Sequence, residues 1–140
     1  MNISASIFNA GQQNLVKVTT NNASKHLIIP SKTEGKGSSV NGGELLFSAL
    51  ATCFCNDIYR EAAKRGLEIT SVEVIVSGEF GAEGEPGRNI QYEVKIAADA
   101  KEEEIRHLIA HVDKVAEVHN TLRVGTSVTL KEERNPVQPK

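Results

Sequence analysis

Cys53 and Cys55 are the only cysteines of this chain, and the run around them, Leu45 to Asn56, carries no charge. Four chemistries are open to such a pair: a disulfide, a shared metal ion, a reactive thiol with its neighbour, or two small side chains in a core. A helix turns about 100° per residue, so residues two apart point to nearly opposite sides. Within an intact helix the two sulfurs cannot bond each other, and the spacing is equally poor for two ligands on one metal ion. Their company separates them further. Cys55 shares a helical stripe with Ala51, Ile58, Tyr59 and Ala62, nearly all apolar. Cys53 lines up with Leu46, Ala49 and Leu50 on one side and with Asp57, Arg60 and Lys64 on the other. A reactive thiol needs some exposure and nearby positive charge to hold the thiolate, whereas a buried thiol in apolar surroundings is inert. By that test Cys53 is the candidate nucleophile and Cys55 a packing residue. The competing reading makes Cys53 another small core residue, because free Cys is among the most buried residue types.

Other constellations carry less. His107 and His111 stand four apart, a helical spacing that can hold zinc, with Glu103 and Glu104 one turn earlier. No Glu follows His107 directly, so the zinc-protease signature is absent and a solvated helix edge explains the pair better than a metal site. No Ser-His-Asp order, nucleotide loop or dinucleotide fingerprint is present. Aromatic residues make up 4% of the chain, too few for a base-stacking surface.

The elements that must position Cys53 follow from patterning. ISASIF, LVKVTT and HLIIP predict short strands separated by Asn- and Gly-rich turns, an antiparallel meander. PSKTEGKGSSVNGG reads as a polar loop that could act as a lid. A helix is predicted from about Gly43 to Arg65, with Asn41 capping its start and Gly66 stopping it. SVEVIVSGEF and RNIQYEVKIA alternate as half-buried strands of a hairpin around GAEGEPG. DAKEEEIRHLIAHVDKVAEVHNTL predicts a second helix, with Asp99 and Glu102 as a capping box. Ile105, Leu108, Ile109, Val112, Val115 and Ala116 lie on its apolar face. TSVTLKEE predicts a last strand, and RNPVQPK a frayed tail.

Composition narrows the function classes. At 140 residues, 39% hydrophobic and 24% charged, the chain suits one globular domain. A net charge of -2 with scattered Lys and Arg gives no pull toward nucleic acid. No apolar run spans a bilayer, and the N-terminus lacks a signal-peptide pattern. A cytoplasmic location, where thiols stay reduced, is the expectation.

The segment GGELLFSALATCFCNDIYREAAKRGLEITSVEVIVSGEF resembles the OsmC/Ohr family of osmotically inducible and organic-hydroperoxide-resistance proteins. There a Gly-rich loop leads into a P-E-L-L-L-A-A-L-A-x-C helix followed by two strands. VAEVHNTLRVGTSVTL resembles that family's C-P-V-S-N-x-x-R turn and final strand. The resemblance implies an intertwined homodimer with active sites at the subunit interface. In the active branch a low-pKa cysteine attacks an organic hydroperoxide and becomes a sulfenic acid. A second cysteine then closes a disulfide, which an external thiol reopens. Carried over, the attacking residue is Cys53.

Three departures accompany the resemblance. The second-cysteine position falls on Ala116, with Glu117 and His119 replacing the proline and serine that follow. The carboxylate expected ten residues before the nucleophile falls on Gly43, leaving Glu44 nine before and about 180° away on a regular helix. Glu44 would then act through an irregular first turn or from the opposite subunit, or simply stabilise the helix start. The arginine expected in the N-terminal strands is missing. Arg60, two turns after Cys53, is the substitute source of positive potential, and Asp57 opposes it. His119 is either a proton carrier near Cys53 or an ordinary loop histidine.

The expectation is therefore a single α+β OsmC-like domain over residues 1–140, in the order β-β-β-α-β-β-α-β, assembled as an intertwined homodimer. Its expected catalytic residues are Cys53, Glu44 and Arg60, with no cofactor and no metal. Its expected partners are a second copy, a small organic hydroperoxide or apolar ligand, and an external thiol reductant, with no nucleic acid and no membrane. The expected activity is thiol-dependent hydroperoxide reduction. The alternative is a non-catalytic ligand-binding or redox-sensing domain.

Overall fold

The computed structural model describes residues 1–131. They form two compact units, one of residues 1–49 and 76–91, the other of 50–75 and 92 onward. In the first unit, β1 (Ile3–Ala10), β2 (Gln13–Thr20) and β3 (Ala23–Leu27) make an antiparallel meander in that order. Val16 is paired with Ile7 on one side and Leu27 on the other, and it is the one buried residue of the sheet. Ile3, Ile7, Phe8 and Leu15 stay exposed, and Ile28 almost completely so. The third strand ends before the expected Ile28 and Ile29. Beyond it, the Gly- and Ser-rich segment closes on itself through a bridge between Ser31 and Ser38. The Ser39 Oγ and N–H groups both donate to Pro30 O, each at 2.9 Å.

Helix α1 (Gly42–Lys64) starts with a reciprocal cap. The Glu44 N–H donates to Asn41 Oδ1 at 2.8 Å, and the Asn41 N–H donates to Glu44 Oε1 at 2.9 Å, which satisfies two otherwise orphaned amides. The helix stops at Gly66, whose φ of 68° only glycine adopts without strain. There the Leu67 N–H reaches Ala62 O at 2.9 Å and the Gly66 N–H reaches Ala63 O at 3.1 Å, the paired pattern of a left-handed helix end.

Strands β4 (Ile69–Glu79) and β5 (Arg88–Ala98) pair as a hairpin-linked, hence antiparallel, sheet. Val72, Val74, Val76, Tyr92, Val94 and Ile96 alternate as half-buried positions, as the sequence pattern requires. In the first unit, a Cβ on Gly78 would come within 2.8 Å of the Phe47 ring, so a glycine is needed for Phe47 to lie there. In the second unit, Phe54, Ile58, Ala62, Leu108, Val112 and Ala116 form the buried cluster. The larger of these side chains each contribute about 1.5–3 kcal/mol by leaving water.

The α+β class with antiparallel sheets holds, and its C-terminal elements differ in three ways from expectation. The second helix, α2 (Glu102–Val115), starts with Lys101 at the cap rather than Asp99. The Lys101 N–H donates to Glu104 Oε2 at 3.2 Å, so the capping glutamate is Glu104, not Glu102. The chain then breaks at Ala116, extended at φ -66° and ψ 109°, and resumes as α3 (Glu117–Val124) instead of continuing one helix. Finally, residues 126–131 form no strand and Val128 and Leu130 are exposed, because no strand among the described residues pairs with them. The rest of TSVTLKEE and the RNPVQPK tail lie outside the described residues. No helix among those residues is long and apolar enough to cross a membrane.

Candidate functional site

Cys53 is half-buried on α1, one residue before the fully buried Phe54, and it packs against the core cluster that contains Ala116. Its Sγ lies 4.0 Å from Asp57 Oδ2, at the outer limit of a sulfur hydrogen bond. The other Asp57 oxygen, Oδ1, accepts an ion pair from Arg60 Nη1 at 2.8 Å. A third acidic group completes the set. Glu117, the first residue of α3, brings its carboxylate so that ligand atoms of Cys53, Asp57 and Glu117 lie within 4.8 Å of one another.

The electrostatics follow from this cluster. Burial pushes the Cys53 thiol above its ordinary range, and the charges of Asp57 and Glu117 push the same way. The backbone amides of Val118 and Glu117, at the start of α3, act in the opposite direction. Burial also raises the Asp57 carboxyl, opposed by Arg60 and assisted by Glu117. Burial and two acidic neighbours thus work against a thiolate at Cys53, while the helix-start amides of α3 favour negative charge on the sulfur.

Each expected residue has a definite place. Arg60 is half-exposed and ion-paired to Asp57, while the charges that act on the Cys53 thiol are those of Asp57 and Glu117. Glu44 caps the first turn of α1 through Asn41. Cys55 is half-buried and, unlike Cys53, is not among the residues packed on the core cluster. His111 turns to Glu61, with Nε2 3.2 Å from Oε1, while His107 is exposed. Lys64, at 3.2 Å, and then His111 hold the Glu61 carboxyl below its usual range.

His119 is neither a loop residue nor solvated. It lies on α3, only 4% exposed, with its ring centroid 4.8 Å from Tyr92 and 5.6 Å from Phe54. Neither ring nitrogen has a hydrogen-bond partner among the described residues. Burial first, then the Arg123 charge, push its pKa below the ordinary 6.5, against the smaller pull of Asp113 and Asp57. The folded protein thus keeps His119 neutral while the unfolded chain takes up a proton below about pH 6.5. This contribution to stability is complete above that pH and is lost as pH falls toward the depressed folded value. His119→Phe should flatten that part of the stability–pH curve in urea titrations. It should also raise stability by about 1 kcal/mol near neutrality, since it removes two unpaired polar atoms.

Residue patterns had no means of revealing the neighbouring Tyr92–Asp113–Arg123 network. The Tyr92 hydroxyl donates to Asp113 Oδ1, which Arg123 Nη2 also meets at 2.7 Å. Burial and the Asp113 charge push the Tyr92 phenol well above its usual range. Beside it, Tyr92, Val94, Arg106, Ile109, Ala110 and Asp113 line an open groove of about 600 Å³.

The family pattern described as OsmC-like protein matches residues 35–131, more than half of the chain. This chain belongs to the OsmC-like family. Among solved structures it is similar to an OsmC-like protein from Mycoplasma pneumoniae, at 23% identity and a TM-score of 0.61, covering 87% of this chain and 86% of that one. It is also similar to the organic hydroperoxide resistance protein OhrB of Bacillus subtilis, at 14% identity and a TM-score of 0.53, covering 89% and 93%. A third is an organic hydroperoxide resistance protein from Elizabethkingia anophelis with thiocyanate bound, at 19% identity and a TM-score of 0.52, covering 89% and 90%. These likenesses establish the fold. No curated protein matches.

Proposed function

We propose that this OsmC-like protein reduces small organic hydroperoxides with Cys53 as its single attacking thiol and an external thiol as reductant. The Cys53 sulfur attacks the distal peroxide oxygen, the O–O bond breaks, and the alcohol leaves with a proton, giving a sulfenic acid. One external thiol then displaces water to form a mixed disulfide. A second displaces the protein sulfur, releasing the external disulfide and restoring Cys53. The sum is one hydroperoxide and two thiols to alcohol, water and disulfide.

The observation that carries this reading is the position of the sulfur, half-exposed and served by the Val118 and Glu117 amides at the start of α3. Asp57 Oδ2 is placed to take the thiol proton, and Arg60 holds that carboxylate in position. Glu44 enters as the cap of the helix that carries Cys53. With Ala116 in place of a second cysteine, the external thiol reduces the sulfenic acid directly. Family membership and the names of the similar proteins support the same chemistry. The exposed Ile3, Ile7, Phe8 and Leu15 support a homodimer. Residues 1–140 are taken as one domain, since α1, β4 and β5 each supply residues to both units. A cytoplasmic location completes the proposal, because an attacking thiol must stay reduced.

A second reading, a redox-sensing or ligand-binding domain, is favoured by the burial and acidic neighbours that push the Cys53 thiol up and by the groove beside Tyr92. One equivalent of cumene hydroperoxide separates the two. The enzyme loses one of its two thiols, gains a trappable sulfenate on Cys53, and consumes further peroxide once a dithiol is supplied. Oxidation that stops after a single turnover would leave the sensing reading.

A further inference from the structure

The Cys53 sulfur has two carboxylates within 4.8 Å, and they are not equivalent. Asp57 is buried and its charge is offset by Arg60 at 2.8 Å. Glu117 is exposed, and among the described residues no Lys, Arg or His forms an ion pair with it. Its neighbour Ala116 is fully buried, so Glu117 stands where the chain passes from the core to solvent, within 4.8 Å of the sulfur.

We propose that Glu117 is a specificity-determining residue that makes Cys53 select its reaction partners by charge, favouring neutral hydroperoxides and neutral or cationic thiols over carboxylate-bearing ones. This rests on the proposed function for the substrate class, while the charge gate belongs to the thiol whatever its partner. A reagent approaching Cys53 from solvent must come within several ångströms of the Glu117 carboxylate. An anionic reagent is repelled there, and a neutral one is affected only through the acidity of the thiol. A unit charge at that range in a surface setting changes a rate by about 3- to 10-fold. Salt screens such an exposed charge.

The test uses the full chain carrying Cys55→Ala, so that Cys53 is the only thiol, and two alkylating reagents that differ in charge. Iodoacetamide is neutral and iodoacetate anionic. Both depend on the same thiolate, so their rate ratio cancels any change in thiol acidity. The expected result is a preference for iodoacetamide that exceeds the preference of free cysteine by about 3- to 10-fold. Glu117→Gln should remove most of that excess, and Glu117→Lys should reverse it. About 1 M salt should shrink it in the parent protein, a readout that depends on no variant folding. Ratios unchanged by Glu117→Gln, or both rates moving by the same factor, would overturn the proposal. Where hydroperoxide is consumed, tert-butyl hydroperoxide should be preferred to linoleic acid hydroperoxide, and Glu117→Gln should narrow the gap. A charge-dependent alkylation ratio without hydroperoxide turnover would sink the proposed activity and leave the gate standing. Turnover with an unmoved ratio would do the reverse.

Discussion

Cys53→Ser abolishes hydroperoxide consumption, and Cys55→Ala keeps it: that is the expected pair of results, measured as peroxide loss with a dithiol reductant. A serine hydroxyl cannot form the thiolate that attacks the O–O bond, so the loss is complete rather than partial. The substitution is nearly isosteric at a half-buried position, and the fold should survive it. Cys55 points away from Cys53 on the same helix and lies outside the packed cluster, so its removal should change the rate by less than about twofold. Loss of turnover in a folded Cys55→Ala protein would mean that the two faces of α1 have been assigned the wrong way round.

The largest effect on stability is expected at the next residue. Phe54→Ala should cost about 3–5 kcal/mol of unfolding free energy, read from urea titrations. The Phe54 side chain is fully buried, and its ring lies 4.9 Å from Tyr92 and 5.6 Å from His119. Truncation removes both aromatic contacts and opens a cavity under Cys53, between α1 and the residues that follow Ala116. A cost below about 1 kcal/mol would show that this cluster collapses freely and is not the core of its unit.

The parts of this fold that were legible in the sequence rest on local chemistry. Asn41 with Glu44, and Gly66 after Lys64, mark the ends of α1 because their groups satisfy amides and carbonyls within one turn. Alternation of valines marks β4 because a sheet has only two faces. Other features depended on what lies across space. Nothing in VAEVHN, which has neither Gly nor Pro, announces a break at Ala116, and in the sequence α3 looks like the end of a longer helix and a turn. Val128 and Leu130 alternate like a strand, yet a strand also requires a neighbour to bond.

The candidate site divides in the same way. The stripe shared with Asp57 and Arg60 distinguishes Cys53 in the sequence, but the packing expected of Cys55 is reversed: Cys53, not Cys55, lies against the buried cluster. The burial of Asp57 was not legible, since Asp is rarely enclosed unless paired, and the pairing with Arg60 appears only in three dimensions. Nor was Glu117, which reaches the sulfur because α3 changes direction.

One consequence concerns how the chain is made. Strands β1 to β3 leave Ile3, Ile7, Phe8 and Leu15 uncovered in the finished chain. A newly made molecule therefore displays adhesive apolar strands from the moment they leave the ribosome. Slower synthesis at reduced temperature and ample holdase chaperone should favour recovery of native material over inclusion bodies.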